Sequence, residues 1–317
     1  MPTSQASQAS AQALAEVAAG LDADHASISP KFLYDELGSH LFEAICELDE
    51  YYPTRTEAAI FRRHAADIAH AIGAGSTMID LGAGNCAKAA SLFPLLHPAQ
   101  YVPIDISADF LEDAVESLRQ RFPYIEMSAL PLDFSAGLDL PATVSEQKRL
   151  FFYPGSSIGN FTPAQAHDLL ARMRGQCGAD GGILIGMDLV KDAGVLNAAY
   201  DDAVGVTSAF NLNVLRHLNR LVGTDFDVRQ WRHVAFYNPT ESRVEMHLEA
   251  IEDTTVSWPG GRRSFMHGER IHTENSYKYR KDAAVALLAQ AGFRTTDVWT
   301  DDDEWFAVLY ARAEGTG

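Results

Sequence analysis

Between residues 76 and 190 the sequence alternates short apolar runs with amphipathic stretches, and this alternation restricts the fold more than any other feature. The apolar runs predict strands, and they lie in STMIDLGAG, AQYVPIDIS, YIEMSALPLDF, RLFFYPGSSIGN and GGILIGMDLV. The stretches between them, such as ADFLEDAVESLRQRF, place apolar residues at helical spacing. Strands that alternate with helices of about 10–15 residues predict a parallel sheet with right-handed crossovers. We therefore expect an α/β fold with a doubly wound, Rossmann-like sheet.

The alternation is interrupted once, which predicts a second lobe. Residues 191–278 contain a helical pattern and two runs, VRQWRHVAFYNP and SRVEMHLEAIED, that indicate antiparallel strands, and the strand–helix pattern returns near residue 281. We predict a Rossmann-like domain from residues 56–190 and 279–317, and an inserted α+β substrate-binding lobe from residues 13–55 and 191–278. Residues 1–12 are rich in Ala, Ser and Gln, and we expect a flexible tail there.

A glycine-rich turn, DLGAGN, follows the first predicted strand. Glycines at this point let a ligand approach the backbone where the carboxyl ends of the strands open. The letters GAGNCA also fit the dinucleotide fingerprint. The turn alone therefore indicates a nucleotide-containing cofactor, either NAD or S-adenosylmethionine (SAM).

Carboxylates at three strand ends favour SAM. Asp80 precedes the glycines, where it can support the methionine part, and Asp133 ends the third strand, where it can accept from the adenine amino group. Asp105 ends the second strand and can accept both ribose hydroxyls, a role that NAD enzymes share. Lys88, at the start of the next helix, can hold the methionine carboxylate. An NAD oxidoreductase would also need an acid or base for hydride transfer near the turn, and the sequence offers no convincing candidate.

Several longer segments are specific enough to indicate a family. They are EYYPTRTE, IDLGAGNCAK, YVPIDIS, PGSSIGNFTP, DLVKDAGVLNAAYDDAVGVT, SRVEMHLEA and TENSYKY. From about Lys31 to the C-terminus the chain resembles the histidine-specific Nα-methyltransferases of ergothioneine biosynthesis, which use SAM to trimethylate L-histidine to hercynine. The resemblance implies a class I SAM methyltransferase domain with a substrate-binding lobe.

The resemblance also implies roles for ten residues. Four are expected to bind SAM: Gly82, Lys88, Asp105 and Asp133. Three are expected to bind the backbone groups of the amino acid: Tyr51, Asn160 and Tyr200. Of these, Tyr51 and Asn160 are expected to be the catalytic residues that orient the amine. Three are expected to surround the imidazole: Met246, Glu274 and Ser276.

The two polar ring contacts suit histidine. The Glu274 carboxylate can accept from an imidazole N–H, and the Ser276 hydroxyl can serve the other ring nitrogen because it both donates and accepts. Two alternatives stay open: a methyltransferase for another amino acid such as tryptophan, and a non-catalytic SAM-binding protein. The first is disfavoured by the ring contacts, and the second by the polar residues expected around the amine.

Composition excludes other classes. With 25 basic and 43 acidic residues the net charge is −18, which is unsuited to nucleic-acid binding because phosphates require a basic surface. The three cysteines form no CxxC pair, so we expect reduced thiols in a cytoplasmic protein. No apolar run reaches the ~20 residues of a membrane span, and the histidines lack metal-site spacing, so neither a membrane nor a metal is expected. L-Histidine is the expected partner, and a monomer the expected state.

Overall fold

The structure of the protein, a computed structural model, describes residues 3–106 and 108–314, leaving out the side chains of residues 3–9, 109 and 110. The chain divides into two compact units. Unit 1 comprises Met1–Tyr52 and Lys191–Ser276, and unit 2 comprises Pro53–Val190 and Tyr277–Gly317. None of the helices in this described part of the chain is long and apolar enough to cross a membrane.

The helices and strands of the described residues are numbered in chain order. The α-helices are α1 (Thr3–Asp22), α2 (Glu36–Cys46), α3 (Tyr52–Ile72), α4 (Ala87–Leu96), α5 (Ala108–Arg121), α6 (Pro163–Gln176), α7 (Ala193–Tyr200), α8 (Val206–Leu221) and α9 (Lys281–Gln290). The strands are β1 (Thr77–Leu81), β2 (Gln100–Asp105), β3 (Glu126–Met127), β4 (Leu130–Pro131), β5 (Arg149–Tyr153), β6 (Gly182–Asp188), β7 (Trp231–Asn238), β8 (Arg243–Ala250), β9 (Thr254–Trp258), β10 (Gly261–Phe265), β11 (Arg270–Tyr277), β12 (Phe293–Thr300) and β13 (Phe306–Ala313). Short 3₁₀ turns lie at Pro30–Leu33, Ser157–Asn160 and Val228–Gln230.

Unit 2 is built on one sheet with the strand order β12-β13-β6-β5-β1-β2-β3, and β4 also pairs with β2. The pairs β1–β2, β1–β5 and β5–β6 are parallel, whereas β13 is antiparallel to both β6 and β12. The order reverses at β1, between β2 on one side and β5 on the other. The sheet is therefore doubly wound and Rossmann-like, and its switch point lies beside β1.

Helices cover both faces of this sheet, because its central strands are apolar on both sides. Along β5, Leu150 and Phe152 belong to a core cluster that contains residues of α3, α4 and α5. Phe151 and Tyr153 belong to a second cluster that contains residues of α6 and α9. Successive side chains of a strand point to opposite faces, so a continuous apolar run such as RLFFY is what a strand buried on both faces requires.

Unit 1 contains the three-stranded sheet β11-β8-β7 and the hairpin β9–β10. Strands β7 and β8 pair antiparallel, from Trp231 opposite Ala250 to Asn238 opposite Arg243, as their sequences predict. The Asp35 carboxylate caps α2 by accepting from the Gly38 N–H at 2.9 Å. The same side chain accepts from Arg220 of α8 at 2.7 Å, so one residue both starts α2 and ties it to α8.

Helix α1 covers most of the segment, residues 1–12, in which a flexible tail is expected. Residues 3–12 form the first half of α1, while residues 1 and 2 lie outside the described residues. The segment TSQASQASAQALAEVAAGLD is low in complexity but rich in alanine, which has the highest helix propensity.

Three half-buried histidines lie on the sheet of unit 1. Desolvation lowers the pKa of His233, His247 and His272 below the ordinary value. Both ring nitrogens of His233 have partners: Nε2 lies 2.8 Å from the Tyr200 carbonyl oxygen, to which it donates, and Nδ1 lies 2.9 Å from the Asn211 Nδ2 amide. Since the amide donates to Nδ1, this arrangement requires a neutral ring.

Acidification is expected to destabilise unit 1 through these histidines. Their folded pKa values lie below the unfolded value, so unfolding takes up protons as the pH falls below about 6.5, and stability is lost in that range. Each ring contributes at most about 1.4 kcal/mol per pH unit. In His233→Gln, the thermal midpoint should fall less between about pH 7.5 and about pH 5.5 than in the wild type. The exposed His267 of the same unit gives the control His267→Gln, which should match the wild type. An undiminished fall in His233→Gln would contradict the assignment.

Candidate active site

The glycine turn after β1 is fixed to the end of β2. The N–H groups of Gly82 and Ala83 donate to the Ile104 carbonyl at 2.9 and 3.1 Å. The Gly84 N–H donates to Asp105 Oδ2 at 3.0 Å. Gly82 and Gly84 have φ values of 68° and 52°, a region that favours glycine. The predicted cofactor residues Gly82 and Asp105 are thus brought together at the switch point of the sheet.

The space beside this turn fits the cofactor that the sequence predicts. A Cβ atom added at Gly82 or Gly84 would meet no atom within 4 Å, so a ligand can approach the backbone there. Asp105 is half-buried at the end of β2, where a carboxylate can accept from ribose hydroxyls. An open glycine turn with a carboxylate at the end of the neighbouring strand is the arrangement that a nucleoside ligand requires.

Asp133 follows β4, whose Pro131 pairs with Asp105 of β2. Its Oδ1 accepts from the Ser135 N–H at 3.0 Å and from the Ser135 hydroxyl. The sequence predicts one third strand here, but the structure divides it into the two short strands β3 and β4, both paired with β2. Asp133 therefore lies near the end of β2, as its predicted role at the adenine requires, with one oxygen held by its own turn.

Lys88, in the first turn of α4, is paired with a residue for which the sequence predicted no role. Its Nζ lies 2.6 Å from Glu57 Oε2, and Glu57 Oε1 accepts from the Gly155 N–H at 2.7 Å. Glu57 shares the buried face of α3 with Ile60 and Phe61. A carboxylate on an otherwise apolar helical face is the sequence signal that could have identified it, because such a group is rarely buried without a partner.

Asp80, the residue before the turn sequence LGAG, is buried in β1 and is only 2% exposed. Its Oδ2 accepts from the Tyr101 hydroxyl at 2.7 Å. Burial raises the pKa of Asp80 to about 7, and the negative charges of Asp105 and Glu57 act in the same direction. The Tyr101 hydrogen bond and the Lys88 ammonium oppose that rise. Asp80 therefore changes its charge near neutral pH.

In unit 1 the predicted substrate residues lie in a cluster of aromatic rings. Tyr51 and Tyr200 have ring centroids 6.1 Å apart. Phe42 lies 6.2 Å from Tyr51 and 5.5 Å from Tyr34, and Phe210 lies 5.4 Å from Tyr34. The sequence predicted no role for Phe42 or Phe210, because apolar residues on helices α2 and α8 are most simply interpreted as ordinary core.

The phenol groups of Tyr34 and Tyr51 are protonated at neutral pH. Desolvation raises the pKa of Tyr34 well above its ordinary value, and the neighbouring Glu274 charge raises it further. Desolvation also raises the pKa of Tyr51, with contributions from Tyr200 and Glu274. Tyr51 can therefore donate or accept a hydrogen bond as a phenol, but it is not a phenolate base in the free protein.

The predicted ring contacts lie on neighbouring strands beside this cluster. Glu274 and Ser276 are alternate residues of β11 and are 6% exposed each, and Met246 is buried on β8. The Thr273 hydroxyl donates to the Met246 carbonyl at 3.0 Å. The Tyr200 hydroxyl donates to Ser276 Oγ at 2.7 Å, which links a predicted backbone contact to a predicted ring contact.

Asn160 belongs to unit 2 and ends the 3₁₀ turn Ser157–Asn160. It does not cap the following helix, because Thr162 is the N-cap of α6 and forms a capping box with Gln165. The turn packs closely against the backbone of Tyr277, because a Cβ atom at Gly159 would lie 2.9 Å from the Tyr277 carbonyl oxygen. Capping of α6 therefore does not account for Asn160, whose catalytic role stays a prediction.

Similarity to known proteins identifies the family. A family model described as histidine-specific methyltransferase, SAM-dependent, matches residues 13–313. The chain belongs to this family. It is therefore a SAM-dependent methyltransferase, and the doubly wound sheet of unit 2 is its class I methyltransferase fold.

Three relatives illustrate the similarity. This chain is 41% identical to a histidine N-alpha-methyltransferase of Mycolicibacterium smegmatis over 303 residues, which cover 93% of this chain and 94% of the relative. It is 38% identical to a histidine N-alpha-methyltransferase of Mycobacterium tuberculosis, with 93% of both chains covered. It is 32% identical to ergothioneine biosynthesis protein 1 of Neurospora crassa over 89% of this chain, which corresponds to 32% of that longer protein.

None of the cysteines Cys46, Cys86 and Cys177 of the methyltransferase forms a disulfide. Burial raises the pKa of both Cys86 and Cys177 to about 12, so these two thiols are protonated and weakly nucleophilic at neutral pH. Within residues 3–106 and 108–314, no group of three or more His, Cys, Asp or Glu side chains is arranged to hold a metal ion.

Proposed function

We propose that this methyltransferase transfers three methyl groups from SAM to the α-amino nitrogen of L-histidine and forms hercynine, the first step of ergothioneine biosynthesis. Residues of unit 2 bind SAM, with Gly82, Asp105 and Asp133 at the nucleoside and Lys88 at the methionine carboxylate. The relatives named as histidine N-alpha-methyltransferases support the choice of substrate and of nitrogen.

The observation that carries the proposal is the polar pair on β11 beside the aromatic cluster of unit 1. Glu274 accepts a hydrogen bond from the imidazole N–H. The Ser276 hydroxyl, which accepts from the Tyr200 hydroxyl, belongs to a group that both donates and accepts, so it can serve the unprotonated ring nitrogen. One acceptor and one donor match a neutral imidazole, whereas an indole offers only an N–H. Met246 and the aromatic rings supply the apolar walls of the ring site.

The chemistry requires orientation more than a strong base. SAM supplies a methyl group on a sulfonium, and the amine nitrogen forms a bond to that carbon as the carbon–sulfur bond breaks. The Tyr51 phenol and the Asn160 amide accept hydrogen bonds from the amine and direct its lone pair, and this positioning lowers the entropic part of the barrier. S-Adenosylhomocysteine leaves after each transfer.

Each transfer consumes a neutral amine, so a proton is lost before each of the three rounds. The starting ammonium, the methylammonium and the dimethylammonium each release one proton, and the product is a permanently charged trimethylammonium. Desolvation beside other cationic groups lowers the amine pKa and favours this loss. Since Tyr51 is itself a protonated phenol, the released protons pass to solvent rather than remain on that residue.

Mass spectrometry of a reaction of the purified protein with SAM and L-histidine tests the proposal. We expect a gain of three methyl groups, with all three on the α-nitrogen after fragmentation. A mixed panel of amino acids serves as the specificity control. Transfer to tryptophan in place of histidine would overturn the assignment of Glu274 and Ser276, and SAM binding without transfer to any amino acid would indicate a non-catalytic protein.

A further inference from the structure

Unit 2 contains a buried carboxylate that the proposed binding roles do not use. Glu57 lies in the second turn of α3, and its side chain is 1% exposed. Burying a carboxylate is unfavourable unless its oxygens are paired. Both oxygens are paired here: Oε2 accepts from Lys88 Nζ at 2.6 Å and Oε1 from the Gly155 N–H at 2.7 Å.

Two glycines in the surrounding backbone provide the space that the Glu57 carboxylate and its lysine partner occupy. Gly186 lies within β6, and a Cβ atom there would be 2.2 Å from Glu57 Oε1. Gly155 has a φ of 76°, and a Cβ atom there would be 3.3 Å from Lys88 Nζ. Glycines at two positions therefore accommodate the contacts among Glu57, Lys88 and the Gly155 turn. Such packing holds the carboxylate and its lysine in a single geometry.

Lys88 needs such a partner if it is to bind a ligand at a defined point. Its side chain is 43% exposed. A lysine at a partly solvated position samples many rotamers, and the loss of this side-chain entropy on binding weakens the affinity for a ligand. A fixed hydrogen bond removes that conformational cost before the ligand arrives. A Lys ammonium has three donors, so Lys88 can contact Glu57 and a ligand carboxylate together.

We propose that Glu57 is a positioning residue, which holds the Lys88 ammonium where it binds the carboxylate of the cofactor's methionine moiety. The proposal rests on the role proposed above for Lys88. Glu57 also fixes the Gly155 N–H, so the lysine and the turn that leads to Ser157–Asn160 are oriented by the same carboxylate. Glu57 acts through Lys88 and does not itself contact the cofactor.

Two substitutions separate position from charge. Glu57→Asp keeps the negative charge but shortens the side chain by one methylene, so it cannot span Lys88 and Gly155 together. Glu57→Gln keeps the length but offers one acceptor oxygen to two donors, so one donor loses its partner. If Glu57 merely offset the Lys88 charge, Glu57→Asp would bind as the wild type and Glu57→Gln would bind an anionic ligand more tightly.

The experiment compares two ligands by calorimetry. S-Adenosylhomocysteine carries the amino-acid carboxylate, whereas 5′-methylthioadenosine shares its nucleoside but lacks the amino-acid part. We expect both Glu57 variants to bind S-adenosylhomocysteine about tenfold more weakly, as for loss of one hydrogen bond to a charged group, and methylthioadenosine within about twofold of the wild type. Glu304→Gln, which removes the exposed carboxylate of the Lys281–Glu304 pair, should leave both affinities unchanged.

Lys88→Met provides the second variant, since this side chain is partly exposed and its loss should not prevent folding. It should also weaken S-adenosylhomocysteine selectively, and Glu57→Asp should then add little in the double variant, because both substitutions remove one interaction. An equal loss of both ligands in the Glu57 variants, full additivity in the double variant, or wild-type S-adenosylhomocysteine affinity in Lys88→Met would each overturn the proposal. None of these measurements uses histidine, so failure to methylate histidine would refute the proposed function and leave this inference standing.

Discussion

Replacing Glu274 with alanine is expected to weaken L-histidine binding by about 100-fold, or about 2.7 kcal/mol, while S-adenosylhomocysteine still binds as in the wild type. The loss is large because the carboxylate is buried at 6% exposure beside the Tyr34 and Tyr51 rings. Water competes poorly for a ligand N–H in such a site, and a hydrogen bond to a charged acceptor is about twice as strong as one between neutral groups.

Specificity should change together with affinity. A polar site rejects a ligand that leaves it unpaired far better than an apolar pocket rejects one of the wrong size. A bound phenylalanine would leave the Glu274 carboxylate without a hydrogen-bond donor, and Glu274→Ala removes that carboxylate. The preference for histidine over phenylalanine should therefore decrease together with the histidine affinity. Glu274→Gln keeps one acceptor oxygen and should lose less, about tenfold.

Calorimetric titration with L-histidine, phenylalanine and S-adenosylhomocysteine measures all three expectations. Glu252→Ala is the matched control, because Glu252 is an exposed glutamate of the same unit. Unchanged histidine binding in Glu274→Ala would contradict the assignment of this residue to the imidazole. A parallel loss of histidine and S-adenosylhomocysteine binding would instead indicate a general loss of structure.

Much of the methyltransferase domain is predictable from the sequence because the responsible interactions are local. Apolar periodicity predicts β1, β2, β5 and β6, and the glycine turn follows from residues adjacent to one another in the chain. The third strand was predicted less well: YIEMSALPLDF forms two short strands, with Ser128 and Ala129 between them. A run of residues that favour a strand does not indicate where that strand stops pairing with its neighbour.

The contacts of the site are less predictable because they join distant residues. Glu57 meets Lys88 across 31 positions and Gly155 across 98 positions, and the Tyr200–Ser276 hydrogen bond spans 76. Family resemblance identified Lys88, Tyr200 and Ser276 without indicating what holds them in place. No role was predicted for Phe42 or Phe210 for another reason: on a helix, an aromatic residue beside a ligand site would have the same sequence pattern as one in the core.

Replacing Asp80 with asparagine is expected to stabilise the protein at alkaline pH. Because the folded pKa of Asp80 is about 7 and the unfolded value is near 3.9, the folded state holds a proton that the unfolded chain has lost between these values. Stability from this group is therefore present at low pH and is lost as the pH rises through 7. Between about pH 5 and about pH 8.5 the wild type should lose about 3 kcal/mol that the variant keeps.

Urea unfolding at several pH values measures this difference. The side-chain amide that Asp80→Asn introduces can still accept the hydrogen bond from the Tyr101 hydroxyl, so the variant should resemble the wild type with a protonated Asp80. Asp139→Asn, which changes an exposed aspartate of the same unit, should show the pH dependence of the wild type. If Asp80→Asn unfolds with that same dependence, another group is responsible for the loss.

The same shift predicts that cofactor binding releases a proton. A bound sulfonium and ammonium near Asp80 would favour its ionised form and lower its pKa, so SAM affinity should rise from about pH 6 to about pH 8, by up to about tenfold per pH unit. Calorimetry of SAM in buffers of different ionisation enthalpy should detect the proton, with a smaller release for S-adenosylhomocysteine, which lacks the sulfonium charge, and none in Asp80→Asn. Equal release by the two ligands would mean that the sulfonium charge does not reach Asp80, whereas release that persists in Asp80→Asn would assign the proton to another group. Near pH 7 Asp80 would therefore be partly protonated in the free protein and would become an anion when the cationic ligand is bound.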